Sequence, residues 1–374
     1  MNNHCVFYRT NLKYDGRVCA IIRTLAISFP NDTIYLYEYP LNSEIFNNFP
    51  KNVKIIKARL VLDKLGNSHL VQHFKAFEYG LKSLFFLLRK KPKTIQVHHE
   101  IVALGPLLFK KLRKNSKLIY DDKEFYHLRD KNIPKITYWI EFFLINKSNL
   151  VISCNRYRLK ALKYIHKNLS AKHLIIDNFV FSGQKELSPD ILSKITYLKG
   201  EGKKILLHQG IINKKRGLKT LIKIAEQLSD NWLFCFIGIK EKNFQEFYNL
   251  INRHSQKKLI NLGYIDYEEL NSFYIYIDAS VVIYDSSTFN NKHCAPNRLY
   301  SAVNNGKPII VNSDNRTLSD FIKEHSNGIA YESPDSVGEF ERKFPVLEQN
   351  SNQLIGKYLY DNYIPSLKKY YKEI

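Results

Sequence analysis

The 374-residue chain is poor in the features that mark several protein classes. Its five cysteines, Cys5, Cys19, Cys154, Cys235 and Cys294, are odd in number and widely scattered. No CxxC pair or Cys/His cluster occurs, which argues against a disulfide framework and a zinc site and makes a reducing cytoplasm the natural setting. Glycine (15) and proline (12) are too sparse for collagen-like or low-complexity sequence. No run reaches the ~18 apolar residues of a membrane span. The opening MNNHCVFYRTNLKYDG lacks the basic-then-apolar layout of a secretory signal. No GxGxxG follows a strand-like run, which disfavours a dinucleotide-binding oxidoreductase. No Asp-x-Asp metal motif is present, and no RNP-like, helix-turn-helix or zinc-finger pattern appears.

What is present is an ordinary globular composition, 44% hydrophobic and 25% charged. With 25 Tyr and 23 Phe a large core is available. A length of 374 residues suggests two domains, at ~100–200 residues each. The formal net charge is +22, and it is unevenly spread. Residues 1–178 hold 31 Lys+Arg against 13 Asp+Glu, and residues 179–374 hold 26 against 22. The basic first half suits an anionic partner such as a lipid headgroup, a phosphorylated glycan or nucleic acid. The alternative is a generic basic surface. Without a nucleic-acid motif, lipid is the better reading of the charge.

Strand-like and helix-like runs alternate. Strands are expected at 4–8, 33–39, 53–58, 94–100, 117–122, 149–154 and 173–177. Between them, Leu70, Phe74, Phe77, Leu81, Leu84, Phe85 and Leu88 recur at steps of three and four, as in a helix, and Pro92 bars its continuation. Residues 179–202 are polar and read as an interdomain connection. A second series follows, with strands at 204–210, 232–238, 259–265, 279–284 and 307–313. Its helices are expected from Gly217, near 241–255, near 267–274, from Pro296 and from about Thr317. The tail 354–374 is aromatic and helical in pattern. The fold expected is α/β, with two doubly wound, Rossmann-like parallel sheets. The domains are 1–178 and 203–353, with 354–374 packing back onto the body.

In open α/β sheets, ligands bind beyond the carboxyl ends of the strands. Two segments at such ends carry the strongest signals. In HQGIINKKRGLKTLI, Gly210 lets the backbone approach a ligand, and Lys214, Lys215 and Arg216 precede a helix whose N-terminus suits phosphate. The competing reading is a solvated basic loop. In HCAPNRLYSAVNNGKPIIVNS, Pro296 opens a helix whose first turn holds Asn297 and Arg298. Here the bland reading is a plain βαβ element. His98, His99 and Glu100 sit side by side on a strand and point to opposite faces, so no metal site is expected there. Asp121, Asp122 and Glu124 either carry acid/base chemistry or cap a helix.

These segments resemble glycosyltransferases of the GT-B fold, in particular glycosyltransferase family 4, whose members build bacterial surface polysaccharides. HQGIINKKRGLKTLI resembles the family's glycine loop, and APNRLYSAVNNGKPII its donor-binding helix. GYIDYEELNSFYIYIDASVVIY resembles the segment between them, and the tail resembles the closing helix. In the first half, YDGRVCAIIRTLA, VHHE and DDKE resemble the family's opening helix and acceptor-side strand ends. The resemblance implies two Rossmann-like domains facing across a cleft. It also implies that the nucleotide-sugar is a substrate and that no further cofactor or metal is needed. Residue by residue, Arg216 would grip the donor diphosphate with Lys215 and Gly210 beside it. Asn297, Arg298 and Leu299 would meet it through a helix terminus, and Gly16 would face it from the first domain. His99, Glu100, Asp121, Lys123 and Glu124 would line the acceptor side, with His99, Lys123 and Glu124 close to the chemistry. Ser301 stands where the family has a ribose-binding Glu, and Lys123 where it often has His.

The function expected from the resemblance is sugar transfer, with retention and without a metal, to a glycan or lipid-linked acceptor at the inner membrane face. LKSLFFLLRKKPK (81–93) and LLFKKLRKNSK (107–117) mix apolar and basic residues as peripheral helices do. They could equally be core helices with basic ends. Rival readings are a sugar-nucleotide epimerase of the same fold and an inactive anion- or membrane-binding protein.

Overall fold

The structure is a computed structural model. It describes residues 2–12, 15–41, 49–66, 69–123, 135–166, 169–180, 185–266 and 269–373, without the side chains of His69, Leu70 and Lys215. The chain divides into two compact units, residues 1–177 with 363–374, and residues 178–362.

The first unit runs β1 (Asn3–Tyr8), α1 (Gly16–Ser28), β2 (Thr33–Glu38), β3 (Val53–Lys57), α2 (His69–Lys90), β4 (Thr94–Val97), α3 (Leu104–Leu112), β5 (Lys117–Asp122), α4 (Lys135–Lys147), β6 (Leu150–Ser153), α5 (Arg156–Ile165) and β7 (Lys172–Ile175). All seven strands pair in parallel, in the order β3-β2-β1-β4-β5-β6-β7. Helices cover such a sheet on both faces, so its inner strands are enclosed: β4 and β6 are fully buried. Strand order reverses at β1, which places a ligand crevice beyond the carboxyl ends of β1 and β4.

Helix α2 forms as its periodicity requires, but the apolar stripe faces solvent. Phe74, Phe77, Leu81 and Phe85 are exposed, while Lys75, Tyr79, Gly80, Ser83 and Leu87 are buried. The reason is the crossing with α3. A Cβ on Gly80 would lie 2.6 Å from the Leu104 side chain, and one on Gly105 only 1.9 Å from Ser83 Oγ. Gly80 and Ser83 face α3, Tyr79 and Leu87 are buried with them, and Phe74, Phe77, Leu81 and Phe85 are left outside.

The second unit runs α6 (Pro189–Gly200), β8 (Lys204–Gln209), α7 (Leu218–Gln227), β9 (Trp232–Ile237), α8 (Glu241–Tyr248), α9 (Arg253–Gln256), β10 (Leu259–Asn261), α10 (Leu270–Tyr274), β11 (Ala279–Val282), α11 (Phe289–Lys292), α12 (Asn297–Asn304), β12 (Ile309–Asn312), α13 (Arg316–His325), β13 (Gly328–Tyr331) and α14 (Asp335–Asn352). Its six parallel strands lie in the order β10-β9-β8-β11-β12-β13. The core gathers Trp232, Phe234, Phe236, Phe244, Phe247, Phe340 and Phe344. The switch point lies between β8 and β11.

Three features differ from the sequence-based reading. Residues 189–200, expected within a connection, are a helix of the second unit that buries Ile191, Ile195 and Leu198. The helix expected near 241–255 is two helices, the second capped by Asn252. Strand β13 and helix α14 went unread. β13 is only four residues long and begins at Gly328, where a Cβ would meet Ile309 O at 2.2 Å. The tail helix α15 (Ile364–Glu373) belongs to the first unit, where Tyr371 Oη donates to Gln96 Oε1 at 2.6 Å.

Candidate functional site

The carboxyl ends of β8 and β11 hold the most distinctive chemistry of the second unit. β8 ends at Gln209, and Gly210 follows with φ of +103° and open space where a Cβ would point. Asn213 Oδ1 accepts from the Arg216 amide at 3.0 Å and closes a single 3-10 turn, Lys214–Arg216. Gly217 then takes φ of +77°, where a Cβ would lie 2.2 Å from Ile283 Cγ2. Only glycine allows this turn to lie against β11 and start α7 at Leu218.

The turn sets the Arg216 guanidinium 4.7 Å from the centre of the Tyr284 ring. Arg298, from the first turn of α12, lies 4.7 Å from the same centre. Arg298 is buried, and its guanidinium donates to Gln209 O at 2.7 Å and Ile283 O at 2.8 Å. Through these bonds it ties the ends of β8 and β11 together. Arg216 makes no such bonds: among the described residues no carboxylate pairs with it and no acceptor takes its guanidinium hydrogens. Two cations sharing one ring repel each other unless an anion joins them. His208, buried at the end of β8, registers the same field. Its pKa is pushed well below the ordinary value by burial first and by Arg298 and Arg216 in addition.

Other expected residues fall around this point. Asn297 begins α12 and is half-buried, whereas Leu299 is fully buried. Ser301 is buried one turn further on. The Lys215 side chain lies outside the described residues. Sequence reasoning missed Gln209, Tyr274 and Tyr284. Tyr274 Oη donates to Gln209 Oε1 at 2.8 Å, and the Tyr284 amide donates to Asn312 Oδ1 at 3.1 Å. Gln209 and Tyr284 end strand-like runs, which was the available signal.

In the first unit, Asp15 caps α1 by accepting from the Val18 amide at 3.0 Å, and Gly16 is the first helical residue. Lys123 Nζ donates to Asp15 Oδ2 at 2.7 Å. Burial alone would raise the Asp15 pKa, but Lys123 and the Val18 amide hold it below the ordinary value. Lys123 is thus half of an ion pair with Asp15.

Asp121 is fully buried. It takes Arg17 Nη2 at 2.6 Å and His98 Nδ1 at 2.8 Å. Against the rise that burial would cause, Arg17 and His98 keep it ionised far below the usual carboxylate range. This carboxylate ties α1 and the segment after β4 to the end of β5. His99 is half-buried, with Nδ1 accepting from the Ile101 amide at 3.2 Å. Glu100 is buried with Oε2 3.0 Å from His99 Nδ1. Glu124 lies outside the described residues. Among the described residues no cluster of His, Cys, Asp and Glu could hold a metal ion.

Comparison with known proteins places this geometry. Residues 189–355 match the family model described as glycosyl transferases group 1. No curated protein sequence matches the chain. Among solved structures, sucrose-phosphate synthase from Thermosynechococcus elongatus superposes with a TM-score of 0.74 at 12% identity, covering 100% of this chain and 99% of that one. HepE from Anabaena, in complex with UDP-glucose, gives 0.71 at 10% identity over 100% of both chains. A glycosyltransferase from Rickettsia africae gives 0.70 at 13% identity, covering 100% and 98%. The two parallel-sheet units are those of the GT-B fold. Residues 189–355, which make up most of the second unit, thus match a glycosyl transferases group 1 domain within a GT-B fold.

Proposed function

We propose that the chain transfers a sugar from a nucleoside diphosphate donor to a glycan or lipid-linked acceptor of a bacterial surface polysaccharide, on the cytoplasmic side. The observation that carries the donor assignment is the unpaired Arg216 guanidinium beside Tyr284 and Arg298 at the switch point of the second unit. Negative charge grows on the leaving diphosphate as the glycosidic bond breaks. A fixed cation aimed at that charge lowers the barrier, and here it would act without a metal. Arg298 positions the loop, and the amide end of α12 at Asn297 adds partial positive charge. The family resemblance supports retention of configuration. The carboxylates of Asp15 and Asp121 are committed to ion pairs. This disfavours an epimerase, which needs carboxylates free to exchange protons with the sugar.

HepE's structures with UDP and UDP-glucose make UDP-glucose the first donor to test. Ser301, where the family has a ribose-binding Glu, supports weaker ribose contacts. A thermal-shift panel of UDP, GDP, CDP, ADP, CMP and NAD tests the donor class. One nucleoside diphosphate should raise the melting temperature, because ligand at 100 times its Kd stabilises by about 2.7 kcal/mol. Arg216→Ala should abolish that shift and cut transfer by about 10²-fold or more, with the melting temperature of the free protein unchanged. A shift retained in Arg216→Ala would remove the diphosphate role.

A further inference from the structure

The first unit leaves large apolar side chains uncovered on three helices. On α2, Phe74 and Phe77 are each 56% exposed and Phe85 is 70% exposed, with Leu81 between them at helical spacing. On α4, Ile136, Trp139 and Phe143 repeat the three-and-four spacing, and Trp139 is 58% exposed. Helix α3 packs against both and ends in Leu112, also exposed. Soluble surfaces expose single apolar residues freely, but sets of aromatic residues on neighbouring helices mark an interaction surface.

The charge around them names the partner. Residues 79–120 contain ten Lys and Arg and a single acid, Glu100, which is buried. Residues 142–176 contain no acid. On α2, Arg89 is exposed one turn beyond Phe85. The ends of α2 and α3 then border an open cavity of about 490 Å³ lined by Lys91, Lys111, Arg113 and Lys114 together with Leu112 and Phe109. None of these four cations forms an ion pair with a described residue. Aliphatic and aromatic side chains interleaved with unpaired cations suit a bilayer boundary, where the apolar groups enter the acyl edge and the cations meet phosphate. Nucleic acid would use the cations and aromatic rings but would leave Leu81, Leu112 and Ile136 without a role.

We propose that the outer side of α2, α3 and α4 docks on an anionic lipid bilayer, with the cavity between the ends of α2 and α3 taking lipid phosphate. This surface belongs to the first unit and the proposed donor residues to the second, so it stands or falls independently of nucleotide binding.

The full chain carries its own probe. Its two tryptophans are Trp139, exposed, and Trp232, 3% exposed in the second core. A change in emission on binding therefore reports Trp139. The protein is mixed with vesicles of phosphatidylcholine alone and with vesicles containing phosphatidylglycerol, at low and at high salt. It should pellet with the anionic vesicles only, shift its emission to the blue, and be released by salt. The pair Phe77→Asp/Phe85→Asp and the pair Lys111→Glu/Lys114→Glu should each weaken vesicle binding by about tenfold or more. Both should keep the wild-type melting temperature and nucleotide shift. The proposal is overturned if the chain stays in solution with anionic vesicles at low salt, or binds neutral vesicles equally well. It is also overturned if both double variants bind like wild type. Light scattering that shows a dimer with Trp139 already blue-shifted would assign the face to a second copy. Displacement from vesicles by single-stranded RNA, with the same emission shift on RNA alone, would assign it to nucleic acid.

Discussion

Asp121 shows how far one side chain can be from the role its neighbours suggest. DDKE reads as a polar strand end facing a ligand, yet Asp121 is closed in by Arg17, 104 residues away in sequence, and by His98, 23 residues away. A carboxylate buried against a guanidinium and an imidazole is a structural tie. Removing one partner strands the other charge, at a cost of about 3–5 kcal/mol. Asp121→Asn should therefore lower the stability of the first unit by that amount, measured by urea denaturation. Binding of a nucleoside diphosphate by the second unit should persist under conditions where the variant is folded. Arg298 makes the same point in reverse. Its place in the motif was legible, but its two carbonyl partners, Gln209 and Ile283, belong to other strand ends. Arg216 keeps its expected availability because its turn is local, set by Asn213 and Gly217 within a few residues.

Among elements, the packing of α2 on α3 decides which side of a helix becomes surface. Periodicity identifies α2 as a helix but cannot say which stripe faces inward when both carry apolar residues, Tyr79 and Leu87 on the buried one and Phe74, Phe77 and Phe85 on the exposed one. Gly80, Ser83 and Gly105 allow close approach, and that contact wins because it buries two helices against a sheet. Gly105→Ala tests this directly. Its Cβ would lie 1.9 Å from Ser83 Oγ and 2.5 Å from Gly80 O, the second a backbone atom that cannot simply rotate away. Overpacking of this kind costs about 1–3 kcal/mol, so the melting temperature should fall measurably. An unchanged melting temperature would mean that α2 and α3 separate at little cost.

For the molecule as a whole, pH should act through buried histidines. Burial depresses the pKa of His98 and His208, and of His4, His173 and His325 in the same direction. In the unfolded chain these groups take up protons near pH ~6.5. Below that value the unfolded state binds more protons than the folded state, so stability falls as pH drops. A fully shifted histidine contributes about 1.4 kcal/mol per pH unit in that window. The depressed carboxylates Asp15 and Asp121 act further down: their stabilisation is present above ~4 and is lost as pH falls below it. Melting curves between about pH 8 and pH 5 should show a decline that begins near 6.5. His208→Gln should flatten part of it, whatever its effect on stability at neutral pH.

The sequence by itself determined the class of the fold, the position of nearly every described strand and the two distinctive segments at the carboxyl ends of the second sheet. Each of these depends on local matters: hydrophobic period, glycine where φ must be positive, and cations set just before a helix. Only the tertiary structure decided that Asp121 is closed in by Arg17 and His98, that Arg298 joins two strand ends, that Lys123 is paired with Asp15, and that the aromatic stripe of α2 lies outside. Those outcomes depend on contacts between strands and helices distant in the chain, whose partners no spacing within a segment can reveal.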